Sequence, residues 1–136
     1  MSLATQTDTR VVNGRTFTSV FNAATRTYSL NNTTPQNRQT TRVIDTQGRL
    51  TNTQLANLNP LAATYDTRGR LATTVLGAGG GARTSTFAYN PAGFLSSFTD
   101  ALARVTGFSY DNVGRVTQQT LPDLRVIGFA ATPQAI

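Results

Sequence analysis

Apolar and polar residues alternate along several short segments of this chain, and the alternation predicts β-strands. In Thr86-Phe87-Ala88-Tyr89 and in Gly107-Phe108-Ser109-Tyr110 the two aromatic residues stand two positions apart. Side chains two positions apart lie on the same face of a strand. The same spacing puts Leu71, Thr73 and Val75 on one face. The residues predicted to lie on the packed side are Tyr65, Leu71, Phe87, Tyr89, Phe108 and Tyr110.

Short segments between these strands have the chemistry of tight turns. In Asp66-Thr67-Arg68-Gly69 the aspartate can accept a hydrogen bond from the backbone two residues on, and the glycine can adopt a positive φ without steric cost. This combination predicts a type I turn closed by a glycine bulge, a common β-hairpin connection. We therefore interpret each copy as a hairpin tip. The predicted turn residues are Asp45, Gly48, Asp66, Gly69, Asn90, Gly93, Asp111 and Gly114.

The turn segment recurs along the chain at a nearly constant interval. Its acidic or amide residues, at positions 45, 66, 90 and 111, are separated by 21, 24 and 21 residues. A fixed period of this size is typical of repeat proteins, in which one small unit stacks on copies of itself. The repeats are clear over about 44–116 and degenerate over about 10–43 and 117–136. We predict an all-β fold, in which residues 1–136 form a single array of antiparallel hairpins in a coiled, twisted sheet.

Three further segments predict turns of other kinds. Asn13-Gly14 favours a two-residue type I′ turn. Leu121-Pro122-Asp123-Leu124 has proline at the position that turns favour. Residues 77–82, Gly-Ala-Gly-Gly-Gly-Ala, account for the three additional residues in the 24-residue interval. No Lys-Ser or Lys-Thr pair closes this glycine-rich loop, so we predict a flexible turn and not a phosphate-binding loop.

The composition narrows the chemistry that is available. The sequence has no Lys, Glu, His or Cys, so all twelve basic residues are Arg and all six acidic residues are Asp. The net charge of +6 raises the possibility of nucleic-acid binding. The arginines are scattered, however, and several stand directly after the turn glycine, so we predict that the chain binds no nucleic acid. No apolar segment approaches the roughly 18 residues that would predict a membrane-spanning helix, and no signal peptide is visible.

The pattern Tyr-Asp-x-x-Gly-Arg-Leu, seen at Tyr65–Leu71 and nearly intact at Tyr110–Val116, resembles the YD repeat, also called the RHS repeat. The resemblance covers about 10–131. It implies that successive hairpins coil into a spiral sheet. In bacterial Rhs and toxin-complex proteins such a sheet closes into a hollow shell around a toxin, and in teneurins it forms a large extracellular barrel. The resemblance therefore implies a secreted or cell-surface location, but we find no counterpart of the paired aspartates that cleave such shells.

These observations leave three functions open. The first is a structural scaffold, a wall segment of a toxin-encapsulating shell that contacts adjoining YD repeats. The alternative is a self-assembling subunit that pairs with other copies of itself through open sheet edges, as a filament or tube. The third is a surface- or carbohydrate-binding module, which would require Tyr65, Tyr89 and Tyr110 to be exposed, whereas we expect them to be buried.

We predict that the chain is not an enzyme and that it uses no cofactor. Without His, Cys, Lys or Glu, the remaining catalytic options are an aspartate pair or a metal held by aspartates. Asp45, Asp66 and Asp111 occupy equivalent turns, and stacking of the repeats would bring them into a ladder. We interpret each of these aspartates as capping its own turn and facing the adjacent arginine, so we predict no metal site.

Overall fold

The protein is an all-β array of antiparallel hairpins, as the alternation and the turns predicted. The structure, a computed structural model, describes residues 4–32 and 39–130. In these residues twelve strands lie in one sheet, each beside the next in chain order. The strands are β1 (Thr5–Val12), β2 (Arg15–Asn22), β3 (Thr27–Asn32), β4 (Gln39–Ile44), β5 (Leu50–Leu55), β6 (Leu61–Tyr65), β7 (Leu71–Leu76), β8 (Arg83–Tyr89), β9 (Leu95–Thr99), β10 (Val105–Tyr110), β11 (Val116–Thr120) and β12 (Val126–Gly128).

The chain divides into two compact units. The first comprises Met1–Thr64 and Val75–Ala82, and the second comprises Tyr65–Thr74 and Arg83–Ile136. The glycine-rich loop belongs to the first unit, where Gly79–Gly81 form one turn of 3-10 helix. The predictions for residues 33–38 and 131–136, which include the degenerate end of the last repeat, concern residues outside the described ranges.

The first unit begins with a tight hairpin. Strands β1 and β2 pair over their full length, from Thr5 opposite Asn22 to Val12 opposite Arg15. The two residues between them, Asn13 and Gly14, both have positive φ, of 50° and 73°. Two consecutive positive φ values define a type I′ turn, so this prediction is confirmed. The β2–β3, β3–β4, β4–β5 and β5–β6 pairs continue the antiparallel order.

Three of the repeats contain a β-bulge that the alternation did not predict. In the β8–β9 pair, Tyr89 lies opposite Leu95 but Ala88 lies opposite Ser97, so Ser96 has no partner across the ladder. Thr51 and Thr117 are the additional residues at the same place in the β4–β5 and β10–β11 pairs. A bulge adds one residue and shifts the face on which later side chains lie. After the bulge in β9, the residue that shares a face with Leu95 is Phe98 and not Ser97.

In the second unit, the registers bring the aromatic residues to one face. Phe87 lies opposite Phe98, and their ring centroids are 5.2 Å apart. Phe98 lies opposite Thr106, which shares its face with Phe108 and Tyr110 because they follow at two-residue intervals. The two strand segments that carried the strongest alternation therefore contribute to the same face of the sheet.

Burial in the described residues is lower than the sequence led us to expect. None of these residues is buried, and the six residues predicted on the packed side, including the three tyrosines, are half-buried. The physical reason is that most tertiary contacts run between neighbouring strands. Neighbouring strands cover the flanks of a side chain, but covering its tip requires a second layer.

Candidate functional site

The hairpin tip at Asp66–Arg70 is closed entirely by its own residues. The Asp66 N–H donates to the Arg70 carbonyl (2.8 Å), and the Gly69 N–H donates to the Asp66 carbonyl (2.9 Å). Asp66 Oδ1 accepts from the N–H groups of Arg68 and Arg70, each at 2.9 Å. Asp66 Oδ2 accepts from Arg70 Nε at 2.8 Å. With Gly69 at φ 80°, this is a three-residue hairpin loop that ends in a glycine bulge.

The same two backbone hydrogen bonds close the tips at 45–49, 90–94 and 111–115. The structure thus places all eight residues that the sequence assigned to turns in equivalent positions. Asp45 and Asp111 repeat the carboxylate contacts of Asp66, including the bond from the following arginine's Nε. At the third tip, Asn90 Oδ1 accepts from the Phe94 N–H (2.9 Å), and a phenyl ring replaces the guanidinium.

Two more tips of the same design lie at the opposite ends of the strands. At 100–104, Asp100 accepts from Arg104 Nε (2.7 Å), and Ala103 occupies the glycine position with φ 60°. The sequence reasoning missed this tip because no glycine marks it, although the aspartate and arginine stand four apart as in the other tips. At 121–125, a turn that we predicted, Leu124 takes the glycine position with φ 66°.

Successive repeats are joined by a tyrosine hydroxyl. Tyr89 Oη donates to the carbonyl oxygen of Leu71, and Tyr110 Oη donates to that of Leu95, each at 2.8 Å. In both cases the acceptor is the first strand residue after the hairpin tip of the preceding repeat. The tyrosine of the motif therefore bonds to the repeat before its own.

The residue at the motif's arginine position covers the ring of that tyrosine. The Arg70 guanidinium carbon lies 4.2 Å from the centroid of the Tyr89 ring, a cation–π contact. At the next repeat, Phe94 takes the place of the arginine and stacks on Tyr110 with centroids 5.0 Å apart. We call the tyrosine's hydroxyl bond and the side chain stacked on its ring together the interlock. Arg70 and Tyr89 form one interlock, and Phe94 and Tyr110 form the other.

The turn glycine of the later repeat makes room for the interlock. A Cβ atom on Gly114 would lie 2.6 Å from Cζ of Phe94, closer than real Cβ contacts allow. A Cβ atom on Gly93 would lie 3.7 Å from Nη1 of Arg70, which is ordinary contact. The glycine, the tyrosine and the arginine of the motif therefore meet across two repeats, which explains why they recur together.

Comparison with models of known protein families decides the classification. Residues 2–130 match the Teneurin YD-shell. The chain belongs to the Teneurin YD-shell family. A comparison with curated proteins found no match. The resemblance to YD repeats is thereby confirmed, and a YD-shell has a structural, shell-like scaffold role in general.

The carboxylates of this YD-shell chain are held in their charged form. The backbone N–H of Arg70 lowers the pKa of Asp66 most, and the side chain of Arg70 and the N–H of Arg68 add to the effect, while desolvation opposes it. Asp45 and Asp111 likewise have lowered pKa values, chiefly through the backbone N–H groups of Arg49 and Arg115. For Asp100 the side chain of Arg104 is the largest cause of the lowered pKa.

Among the residues that the structure describes, the stacked turns bring together no group of three or more carboxylates placed to hold a metal ion. Each aspartate in the tips at 45, 66, 100 and 111 instead accepts bonds from its own turn. In the described ranges, no helix has the length and apolarity needed to cross a membrane.

Proposed function

We propose that this YD-shell chain is a non-enzymatic wall segment of a shell that encloses a toxin. The interlock is the observation that carries the proposal. In two successive repeats, it joins the repeat to the one before it through a hydroxyl bond and a stacked side chain at the same place. A wall needs such a connection at every step, because a repeat array is stabilised by contacts between nearest neighbours.

The state of the carboxylates supports a role without catalysis. A general base near neutral pH needs a pKa close to the working pH. The lowered pKa values of Asp45, Asp66, Asp100 and Asp111 move away from that range. The oxygens of these carboxylates also accept hydrogen bonds from the turn backbone and from arginine, so these aspartates stabilise the hairpin tip.

The tyrosines have a structural use that competes with sugar binding. A sugar stacks on a free ring face, but Arg70 lies over Tyr89 and Phe94 lies over Tyr110. Their hydroxyls donate within the sheet. The interlock therefore favours a wall over a carbohydrate-binding module.

A second candidate is self-assembly through open sheet edges. The observation that favours it is strand β1, an outer strand of the sheet in which every residue is exposed. An exposed edge of this length presents unpaired backbone groups to other strands. We place either assembly outside the cell or at the cell surface, which fractionation of the source cells would test.

Negative-stain electron microscopy with light scattering over a dilution series separates the two candidates. We expect a wall segment to remain dispersed when it lacks adjoining repeats, and we expect a self-assembling subunit to form particles that grow with concentration. Glycan-array binding that is lost in a Tyr89→Ala variant would replace both with the sugar-binding function. A Thr86→Ala variant, at an exposed position of the same strand as Tyr89, is the matched surface control.

A further inference from the structure

Strand β1 is long and uncovered for an edge strand. All eight residues of Thr5–Val12 are exposed, and β2 is the one strand that pairs with β1 among the residues described. Natural edge strands are usually short, bent or covered, because a straight edge recruits other strands. β12, the strand at the other end of the order, has only three residues.

The hairpin geometry fixes which backbone groups of β1 face outward. The two-residue loop makes Val12 and Arg15 the hydrogen-bonded pair that closes the hairpin. Hydrogen-bonded pairs then recur at every second residue. The bond from the Ala23 N–H to the Ala4 carbonyl, at 3.0 Å, follows the same alternation. The residues whose N–H and C=O groups point away from β2 are Thr5, Thr7, Thr9 and Val11.

We propose that β1 pairs with β1 of a second copy of this chain, antiparallel and with Thr9 opposite Thr9. This inference rests on self-assembly, the second candidate function, and adds the edge, the symmetry and the register. A two-fold axis through the Thr9 pair makes the contact isologous, so it closes as a dimer. The outward groups of Thr7, Thr9 and Val11 then form a continuous antiparallel ladder across the two copies.

Charge selects this register over its neighbours. With Thr9 opposite Thr9, Asp8 of each copy lies opposite Arg10 of the other, so two opposite-charge pairs form. Shifting one copy by two residues is the smallest shift that keeps the same outward backbone groups bonded. In one direction this shift puts Asp8 opposite Asp8, and in the other it puts Arg10 opposite Arg10. Like charges directly opposite each other across an antiparallel pair are destabilising. Asp8 is exposed and accepts a bond from the nearby Gln6 side chain (3.1 Å), so its carboxylate is accessible to a second copy.

The contact is small, which sets the expected strength. One strand pair buries far less surface than the roughly 1,200–2,000 Å² of a stable protein interface. Association also has to offset the lost freedom of two molecules. We therefore expect a weak dimer that dissociates on dilution.

Sedimentation velocity of charge-reversal variants tests the pairing. We expect Asp8→Arg and Arg10→Asp each to raise the dimer dissociation constant about tenfold, because each replaces two attractive pairs with two repulsive ones. The double variant carrying both changes should return to within about threefold of wild type, since the pairs are restored in reverse. Arg15→Asp is the control: it changes the net charge as Arg10→Asp does, but it lies on β2. Circular dichroism checks that every variant is folded.

Amide hydrogen exchange at low and high protein concentration gives an independent measurement. We expect Thr7, Thr9 and Val11 to become protected as concentration rises, while Gln6, Asp8 and Arg10 stay unchanged because their N–H groups already bind β2. A chain that is monomeric at every concentration would overturn both this pairing and self-assembly. Assemblies that persist equally in all the charge variants would overturn the pairing and leave self-assembly standing.

Discussion

Gly114 is constrained twice, by its own backbone and by the repeat before it. Its φ of 84° lies in the left-handed region that side chains disfavour, and the Phe94 ring occupies the space where a Cβ atom would go. Gly48 has a similar φ of 78° with nothing within 4 Å of its hypothetical Cβ. The two glycines share the turn role, but only Gly114 carries the packing role as well.

Gly114→Ala should therefore cost more stability than Gly48→Ala. A left-handed alanine destabilises both variants by about 1 kcal/mol, and the overlap with Phe94 destabilises Gly114→Ala by about 1–3 kcal/mol more. The free energy of unfolding, from denaturant titrations followed by circular dichroism, measures the difference. In a Phe94→Ala background the additional cost should disappear. Equal costs for the two glycines would show that the ring does not pack there.

The Tyr110 hydroxyl should contribute measurably to stability. Tyr110→Phe leaves the Leu95 carbonyl without its donor, and we expect a loss of about 0.5–1.5 kcal/mol in the free energy of unfolding. Tyr28→Phe is the matched control. Its ring stacks on Phe21 at 4.5 Å, and the two hydroxyl bonds of the interlock come from Tyr89 and Tyr110. Identical losses for the two variants would show that the bond from the Tyr110 hydroxyl to Leu95 does not contribute to stability.

At the scale of single elements, the tips were predictable where glycine marked them and not where it was absent. Asp66 and Gly69 reveal a turn because each has a local chemical reason to be there. Ala103 adopts the same backbone without that preference, so a pattern built on glycine missed its tip. The bulges were not predicted for a different reason: a bulge can be recognised only when the registers of two paired strands are compared. A hydroxyl residue directly after the leucine or valine, as at Thr51, Ser96 and Thr117, is the available signal.

Ala103→Gly should stabilise its hairpin tip. Removing the left-handed alanine should stabilise the folded state by about 1–2 kcal/mol. The greater flexibility of glycine in the unfolded chain should offset about 0.5–1 kcal/mol of this gain. We expect a net gain of about 0.5–1 kcal/mol in the free energy of unfolding. Ala101→Gly, in the same turn but without a positive φ, should instead destabilise the protein. A loss in both variants would mean that the Ala103 backbone is not strained.

At the scale of the whole molecule, the sequence predicted order along the chain better than burial across it. The 21-residue period predicted antiparallel hairpins because every pairing is between neighbours, which is the simplest topology to infer. Which face would be covered could not follow from alternation, since Phe87 and Tyr89 show the same pattern whether or not a second layer lies on them. The interlock could not be predicted from the alternation either, because it joins Phe94 to Tyr110, a residue of the next repeat.

Low pH should destabilise the folded state through the aspartates of four hairpin tips together. The pKa values of Asp45, Asp66, Asp100 and Asp111 are lowered from 3.8 in the folded state. The unfolded chain therefore takes up these protons first as the pH falls. Their contribution to stability is complete above about pH 5, declines as the pH falls through 3.8, and is lost below the folded-state values. Thermal unfolding between pH 7 and pH 2 measures this decline.

Asp66→Asn isolates one tip of the four, and the chain itself supplies the precedent. Asn90 shows that an amide Oδ1 can accept the same backbone bond, so the variant should keep its turn but lose the charged bond to Arg70. At pH 7 the variant should melt below wild type. The gap between the two melting temperatures should narrow as the pH falls below 3.8, because Asp66 of the unfolded wild-type chain then takes up a proton more readily than Asp66 of the folded chain. A gap that stays constant down to pH 2 would show that the Asp66 charge contributes nothing to the hairpin tip.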